Sequence, residues 1–196
     1  MNLLRQSKKE EEHFKKMLRK VILICITLIT FSSCAQNDKT QNQTTMLNIG
    51  EKAPAINSID ENGEVITLSQ FKGKKVILYF YPKDMTPGCT MQSCNLRDNY
   101  QFLLDNGYVV LGCSADSPER HLKFIAKHEL PFSLISDESK EVLNAYGVWG
   151  PKKFMGKEYD GVHRTTFVID EKGIIEKIFL KVKTKDHTNQ ILESYN

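Results

Sequence analysis

Residues 76–94 read VILYFYPKDMTPGCTMQSC, and the change of character halfway along this stretch decides the architecture. Residues 76–81 (VILYFY) form an unbroken apolar run rich in β-branched and aromatic side chains, the pattern of a strand covered on both faces. Pro82 and Pro87 break that run and Gly88 follows. From Cys89 to about Leu104 the residues suit a helix, with Leu96, Tyr100, Leu103 and Leu104 offering an apolar side. A second buried strand, residues 108–113 (YVVLGC), comes next.

Outward from this centre the same alternation continues. Ser117-Pro118-Glu119 opens a helix with a capping hydroxyl, Pro in the first turn and an acid near the positive end of the dipole. Residues 132–135 suit a short strand and 139–146 a short helix closed by Gly147. Residues 148–162 read as a Gly-containing loop. Two hairpins are expected, 55–59 with 64–68 around Asp60-Glu61-Asn62-Gly63, and 165–169 with 174–180 around Asp170-Glu171-Lys172-Gly173. A last helix is expected over 187–195. Strands alternating with helices predict an α/β fold, a mixed central sheet with helices on both faces.

The charge is unevenly placed along the 196 residues. The whole chain holds 27 Lys and Arg against 24 Asp and Glu, a net +3. Residues 1–33 alone hold seven basic and three acidic side chains, so the remaining 163 residues are close to neutral. A basic nucleic-acid-binding domain is excluded. With 40% hydrophobic and 26% charged residues, so is wholesale disorder.

The N-terminal charge belongs to an address. Residues 21–31 (VILICITLITF) are too short a run for a membrane span, which needs roughly 20 residues. They fit the core of an export signal preceded by Lys15, Lys16, Arg19 and Lys20. Met17 opens that compact signal and is the expected start of translation. The signal, residues 1–33, ends Phe31-Ser32-Ser33-Cys34, which resembles a bacterial lipoprotein processing site with Cys34 as the lipid-bearing residue. An ordinary secretory signal, or a signal-anchor with Cys34 free, is the alternative. Residues 36–45 (QNDKTQNQTT) read as a polar tether, so 34–45 links the address to a domain at 46–196. A domain of about 150 residues buries about two-thirds of its unfolded surface, enough for one core.

Five cysteines are present. Cys25 lies in the signal, Cys34 is accounted for by lipid, and Cys113 sits in a β run where a small buried side chain is the ordinary reading. Cys89 and Cys94 remain. A sulfur at a helix N-terminus meets the positive dipole end and unpaired N–H groups, which favour thiolate. Ionisation alone is insufficient. A free thiol is a few per cent thiolate at neutral pH, so full ionisation adds roughly 30-fold, against accelerations of at least ~10⁶ for enzymes. Neighbouring donors must therefore act on the transition state.

On an ideal helix residues five apart are about 8.7 Å apart at Cα, whereas a disulfide needs about 7 Å or less. Either Cys89 and Cys94 never pair or the first helical turns unwind. The spacing is not the Cys-x-x-Cys of thioredoxin-type redox motifs. His121 and His128 are too isolated to complete a metal site, and none is expected.

Residues 79–100, YFYPKDMTPGCTMQSCNLRDNY, resemble the active-site segment of the peroxiredoxin Q subfamily, also called bacterioferritin comigratory protein. The pattern Pro-x-x-x-Thr-x-x-Cys is met by Pro82, Thr86 and Cys89. The later segments VLGCSADSPE (110–119) and YGVWGPKKFMGKEYDGVHRTTFVID (146–170) resemble the same subfamily in order. The resemblance spans residues 46–196. It implies a thioredoxin-like fold and a thiol peroxidase acting on hydrogen peroxide and organic hydroperoxides, without metal, haem or flavin.

By position, the resemblance makes Cys89 the peroxidatic nucleophile, with Thr86 orienting the peroxide and Pro82 shielding the sulfenic acid. Arg164 becomes the active-site cation and Cys94 the resolving cysteine, joined to Cys89 by an intramolecular disulfide. A thioredoxin-like dithiol would recycle this atypical 2-Cys enzyme, expected as a monomer. The signal adds a membrane attachment through lipid, facing the periplasm or cell exterior, and a cytoplasmic place if the signal is unused. A thiol–disulfide exchange protein on the same fold is the rival reading, and a non-catalytic lipid-anchored binding module the more distant one.

Overall fold

Lys75–Phe80 forms strand β3, and its side chains alternate between two apolar layers. Ile77 and Tyr79, with Tyr81 just beyond, face one layer, whereas Val76, Leu78 and Phe80 face the other. The unbroken apolar run of the sequence thus corresponds to a strand buried on both sides. The computed structural model describes residues 47–154 and 156–195. The expected signal, Cys34 and the tether lie outside the described residues.

In chain order the elements begin with β1 (Asn57–Ile59) and β2 (Val65–Thr67), paired as the first expected hairpin. Asp60 Oδ1 closes its turn by accepting from the N–H groups of Asn62 and Glu64. After β3 come helices α1 (Pro87–Asp98) and α2 (Tyr100–Asp105), then β4 (Tyr108–Ser114), α3 (Pro118–His128) and β5 (Leu134–Ser136). Helix α4 (Glu141–Ala145) follows, and Gly147, at φ 65°, turns the chain out of it. Strands β6 (Trp149–Phe154), β7 (Lys157–Val162), β8 (Thr165–Ile169) and β9 (Ile175–Phe179) precede helix α5 (His187–Glu193).

Seven strands make one mixed sheet in the order β2-β1-β5-β4-β3-β8-β9. β3, β4 and β5 run parallel, while β1 against β5, β8 against β3 and β9 against β8 run antiparallel. One face is covered through Leu96 of α1, Leu103 of α2, Phe124 of α3 and Ile191 of α5. The other is covered through Val142 and Leu143 of α4, Tyr146, and Ile56 and Ile66 of the N-terminal segment. The expected mixed central sheet with flanking helices is present.

Two local expectations need correction. The helix expected from Cys89 to about Leu104 begins earlier, at Pro87, and is interrupted at Asn99. The Asn99 side chain donates to the Asn95 carbonyl (2.8 Å) and offers the backbone a competing partner. Residues 148–162, read as a loop, contain the β6–β7 hairpin, with Trp149 opposite Val162 and Phe154 opposite Lys157. Most of β7 is exposed, so it lacks the alternation that marks a half-buried strand.

The antiparallel pairing of β8 with β3 matters most for chemistry. It sets Thr165, at the start of β8, opposite Phe80, at the end of β3. The loop and helix after β3 therefore meet the residues just before β8. Gly112 of β4, opposite Tyr79, makes room on the helix side: a Cβ there would lie 2.6 Å from Leu134 and 2.8 Å from the Tyr79 ring. Only the missing side chain lets Tyr79 cross β4, and its hydroxyl then meets Ser93 of α1 at 3.0 Å.

Candidate active site

Cys89 is the third residue of α1 and is fully buried. Thr86, with extended backbone, precedes the helix, and Pro87 at the first position needs no hydrogen-bond partner for its nitrogen. Thr90 N–H donates to the Thr86 carbonyl (2.9 Å), so the N–H groups of Gly88 and Cys89 lie in the turn that has no intrahelical acceptors. The sulfur thus occupies the positive end of α1.

Arg164, between β7 and β8, reaches across to this turn. Its Nη2 donates to Cys89 Sγ (3.2 Å) and its Nη1 to Gln92 Oε1 (2.6 Å). One guanidinium thereby bridges two residues three apart on the same face of α1. Arg164 Nη2 also sits where a Cβ on Gly88 would approach to 3.4 Å, so the small residue keeps the guanidinium close to the backbone.

Thr86 and Pro82 stand beside the sulfur's helix in the segment joining β3 to α1, both partly exposed. The Thr86 hydroxyl donates to the Lys83 carbonyl (2.9 Å), leaving its lone pairs free to accept. Met85 in this segment has φ 63°, an uncommon conformation for a side chain of that size. The segment is fixed by Asp84. Its carboxylate accepts from the Tyr81 hydroxyl (2.7 Å) and lies 2.8 Å from His121 Nδ1, all three side chains being buried. Asp84 N–H donates to Asp116 Oδ2, and Arg120 Nη2 donates to the Asp84 carbonyl. His121, set aside in the sequence as an isolated imidazole, is thus a structural partner of the segment leading into α1.

Cys94 lies farther along the same helix, partly exposed, and Cys89, Cys94 and Cys113 are all free thiols. Cys113 is enclosed in the core on β4, and burial pushes its thiol well above the usual range. Burial likewise raises the Tyr79 and Tyr81 hydroxyls, which stay protonated. Lys152 Nζ donates to the Val162 carbonyl (2.8 Å), and burial first, then the charge of Arg164, pushes its ammonium down. Among the described residues no group of three His, Cys, Asp or Glu side chains converges to hold a metal ion.

Gln92, Thr166, His187 and Asn95 carry no motif in the sequence, yet they tie the site to the C-terminal helix. Gln92 Nε2 donates to Thr166 Oγ1 (3.4 Å), which meets His187 Nε2 at 2.9 Å. Asn95 accepts from Thr188 N–H (2.8 Å) and donates to the Lys185 carbonyl (3.1 Å), fastening α5 to α1. Only Gln92 left a signal, because its position three residues after Cys89 puts it on the same helical face.

The model of the AhpC/TSA family matches residues 49–178. The "Putative peroxiredoxin bcp" of Haemophilus influenzae is 49% identical over 147 residues, covering 75% of this chain and 95% of the relative. The "Peroxiredoxin Bcp" of Escherichia coli K12 is 49% identical over 146 residues, covering 74% and 94%. Among solved structures, the bacterioferritin comigratory protein of Xanthomonas campestris, described for its alkyl peroxide reduction activity, superimposes with a TM-score of 0.66. It is 31% identical, and the match covers 71% of this chain and 88% of that one.

Proposed function

From a chain that belongs to the AhpC/TSA family, within its Bcp/PrxQ peroxiredoxins, and is a thiol-dependent peroxidase of thioredoxin-like fold, we propose that Cys89 is the peroxidatic nucleophile. The observation that carries this reading is the donation of Arg164 to a buried sulfur at the first turn of α1. The Cys89 thiolate attacks the terminal oxygen of a peroxide; the S–O bond forms as the O–O bond breaks, sulfur becoming sulfenic acid. The departing oxygen takes a proton and leaves as water or alcohol. Arg164 and the free N–H groups of the first turn stabilise the charge that develops on the peroxide oxygens. Thr86, its own proton engaged by Lys83, accepts from the peroxide O–H and so orients the O–O bond toward the sulfur. Pro82 covers the nascent sulfenic acid. Hydrogen peroxide and organic hydroperoxides are the substrates, alkyl peroxide reduction by the Xanthomonas relative supporting the second class.

Cys94 then resolves the sulfenic acid by attacking Cys89 Sγ and expelling the oxygen as water, leaving an atypical 2-Cys intramolecular disulfide. Both cysteines stand on α1, so the pair is too far apart until the first turns unwind. A thioredoxin-like dithiol supplies the two electrons that restore both thiols, and the enzyme acts as a monomer. Intact mass after one equivalent of peroxide tests this: a loss of two hydrogens is expected in the wild type and a retained oxygen in Cys94→Ser. A disulfide-linked dimer, or an oxygen retained in the wild type, overturns the pairing.

The export signal within residues 1–33 is used from Met17, where translation starts. Cys34 carries lipid, and the polar residues that follow tether the domain at 46–196 to a membrane facing the periplasm or exterior. The apolar core flanked by basic residues and the small residues before Cys34 support this. Metabolic labelling with a fatty acid, followed by fractionation, is expected to label the wild type in the membrane and to leave Cys34→Ala unlabelled. An unlabelled wild type overturns the anchor.

A further inference from the structure

The chain of hydrogen bonds leaving Arg164 runs in one direction, and its polarity can be fixed from its far end. Gln190 Nε2 donates to the Lys181 carbonyl (2.8 Å) and its Oε1 accepts from Lys183 N–H (2.9 Å), so the backbone settles which end of the amide is oxygen. That oxygen lies 3.0 Å from His187 Nδ1, which must therefore carry the proton. His187 Nε2 is left as an acceptor and accepts from the Thr166 hydroxyl at 2.9 Å. With that proton committed, Thr166 Oγ1 accepts from Gln92 Nε2. Gln92 then turns its oxygen to the guanidinium, which can only donate. Each group donates to the next, from Arg164 through Gln92, Thr166 and His187 to Gln190.

We propose that His187, at the head of the C-terminal helix α5, is a positioning residue for the peroxidase reaction, acting through Thr166 and Gln92 to hold Arg164 over Cys89. This rests on the reading of Cys89 and Arg164 given above. Gln92, Thr166 and His187 are each buried, so water cannot replace a missing link without entering the core. A reversed Gln92 would turn its amide N–H groups toward the guanidinium; the acceptor at His187 is what makes the productive orientation the satisfied one. The neutral imidazole that this role requires is consistent with its surroundings. Burial, and to a smaller extent the charge of Arg164, pushes His187 down to about 4.

The test is the single-turnover rate of Cys89 oxidation by hydrogen peroxide, followed by trapping of the sulfenic acid in the full chain carrying Cys94→Ser. His187→Ala is expected to slow it about tenfold, the size of one lost hydrogen bond. His187→Gln, whose amide oxygen can accept from Thr166, restores most of the rate. In an Arg164→Gln background His187→Ala adds no further loss, because both act on one group. Thr166→Val, which keeps the side-chain volume, behaves as His187→Ala does and serves if the latter fails to fold. A wild-type rate in His187→Ala or Thr166→Val, or an equal loss with and without Arg164, overturns the inference while the reading of Arg164 stands. If Arg164→Gln itself oxidises at the wild-type rate, the underlying reading falls and the inference with it.

Discussion

Cys89→Ser lowers peroxide consumption to the uncatalysed background. Serine is close to cysteine in size, so the buried site in the first turn of α1 keeps its packing and only the chemistry is lost. A hydroxyl at neutral pH is a far weaker nucleophile than a thiolate, and it cannot be oxidised to a sulfenic acid and recycled. Neither the positive end of α1 nor the guanidinium of Arg164 has then a sulfur to act on. The loss covers the whole enzymatic acceleration, at least ~10⁶ for a typical enzyme. A coupled assay with a dithiol reductant reads it, and Cys94→Ser provides the contrast: that variant completes its first oxidation and stalls in recycling. Turnover that survives Cys89→Ser places the reacting group elsewhere.

Arg164→Gln is expected to slow the oxidation of Cys89 by about 10²–10³-fold, the cost of removing one donor aimed at developing charge. Glutamine retains an N–H donor but loses the positive charge and the second arm that reaches Gln92. Arg164→Lys recovers only part of the rate, because one ammonium cannot bridge Cys89 and Gln92 together. Arg164 is partly exposed, so the fold tolerates both changes, and thermal unfolding should report near-wild-type stability. Stopped-flow measurement of the first oxidation isolates this step from resolution and reduction. A rate within about threefold of wild type contradicts a transition-state role, which is worth kilocalories rather than tenths.

The strand at residues 76–81 was legible because burial on both faces leaves an unmistakable apolar run, and Pro82, Pro87 and Gly88 mark its end. Cys89, Thr86, Pro82 and Arg164 were singled out through the resemblance of their segments to a known subfamily, and the structure brings Arg164 to Cys89. Spacing alone could bring no Arg at 164 to a Cys at 89, since the contact depends on antiparallel pairing across most of the domain. The β6–β7 hairpin was hidden because β7 is largely exposed and β6 carries Gly and Pro at its second and third positions. Gln92 showed only its helical face, and Asp84, His121, Thr166 and His187 were hidden for a different reason. A buried polar network is satisfied by partners brought together from four or more elements, and no one segment records it.

The pairing of β3 with β8 also orders events in time. Residues 75–80 emerge from the ribosome long before residues 165–169, so the central strand waits for its second neighbour until most of the domain has been made. Arg164 arrives with that neighbour, 75 residues after Cys89. On the roles proposed for Cys89 and Arg164, a nascent chain therefore displays the thiol without its cation. Assembly of the Arg164–Cys89 contact thus coincides with closure of the sheet.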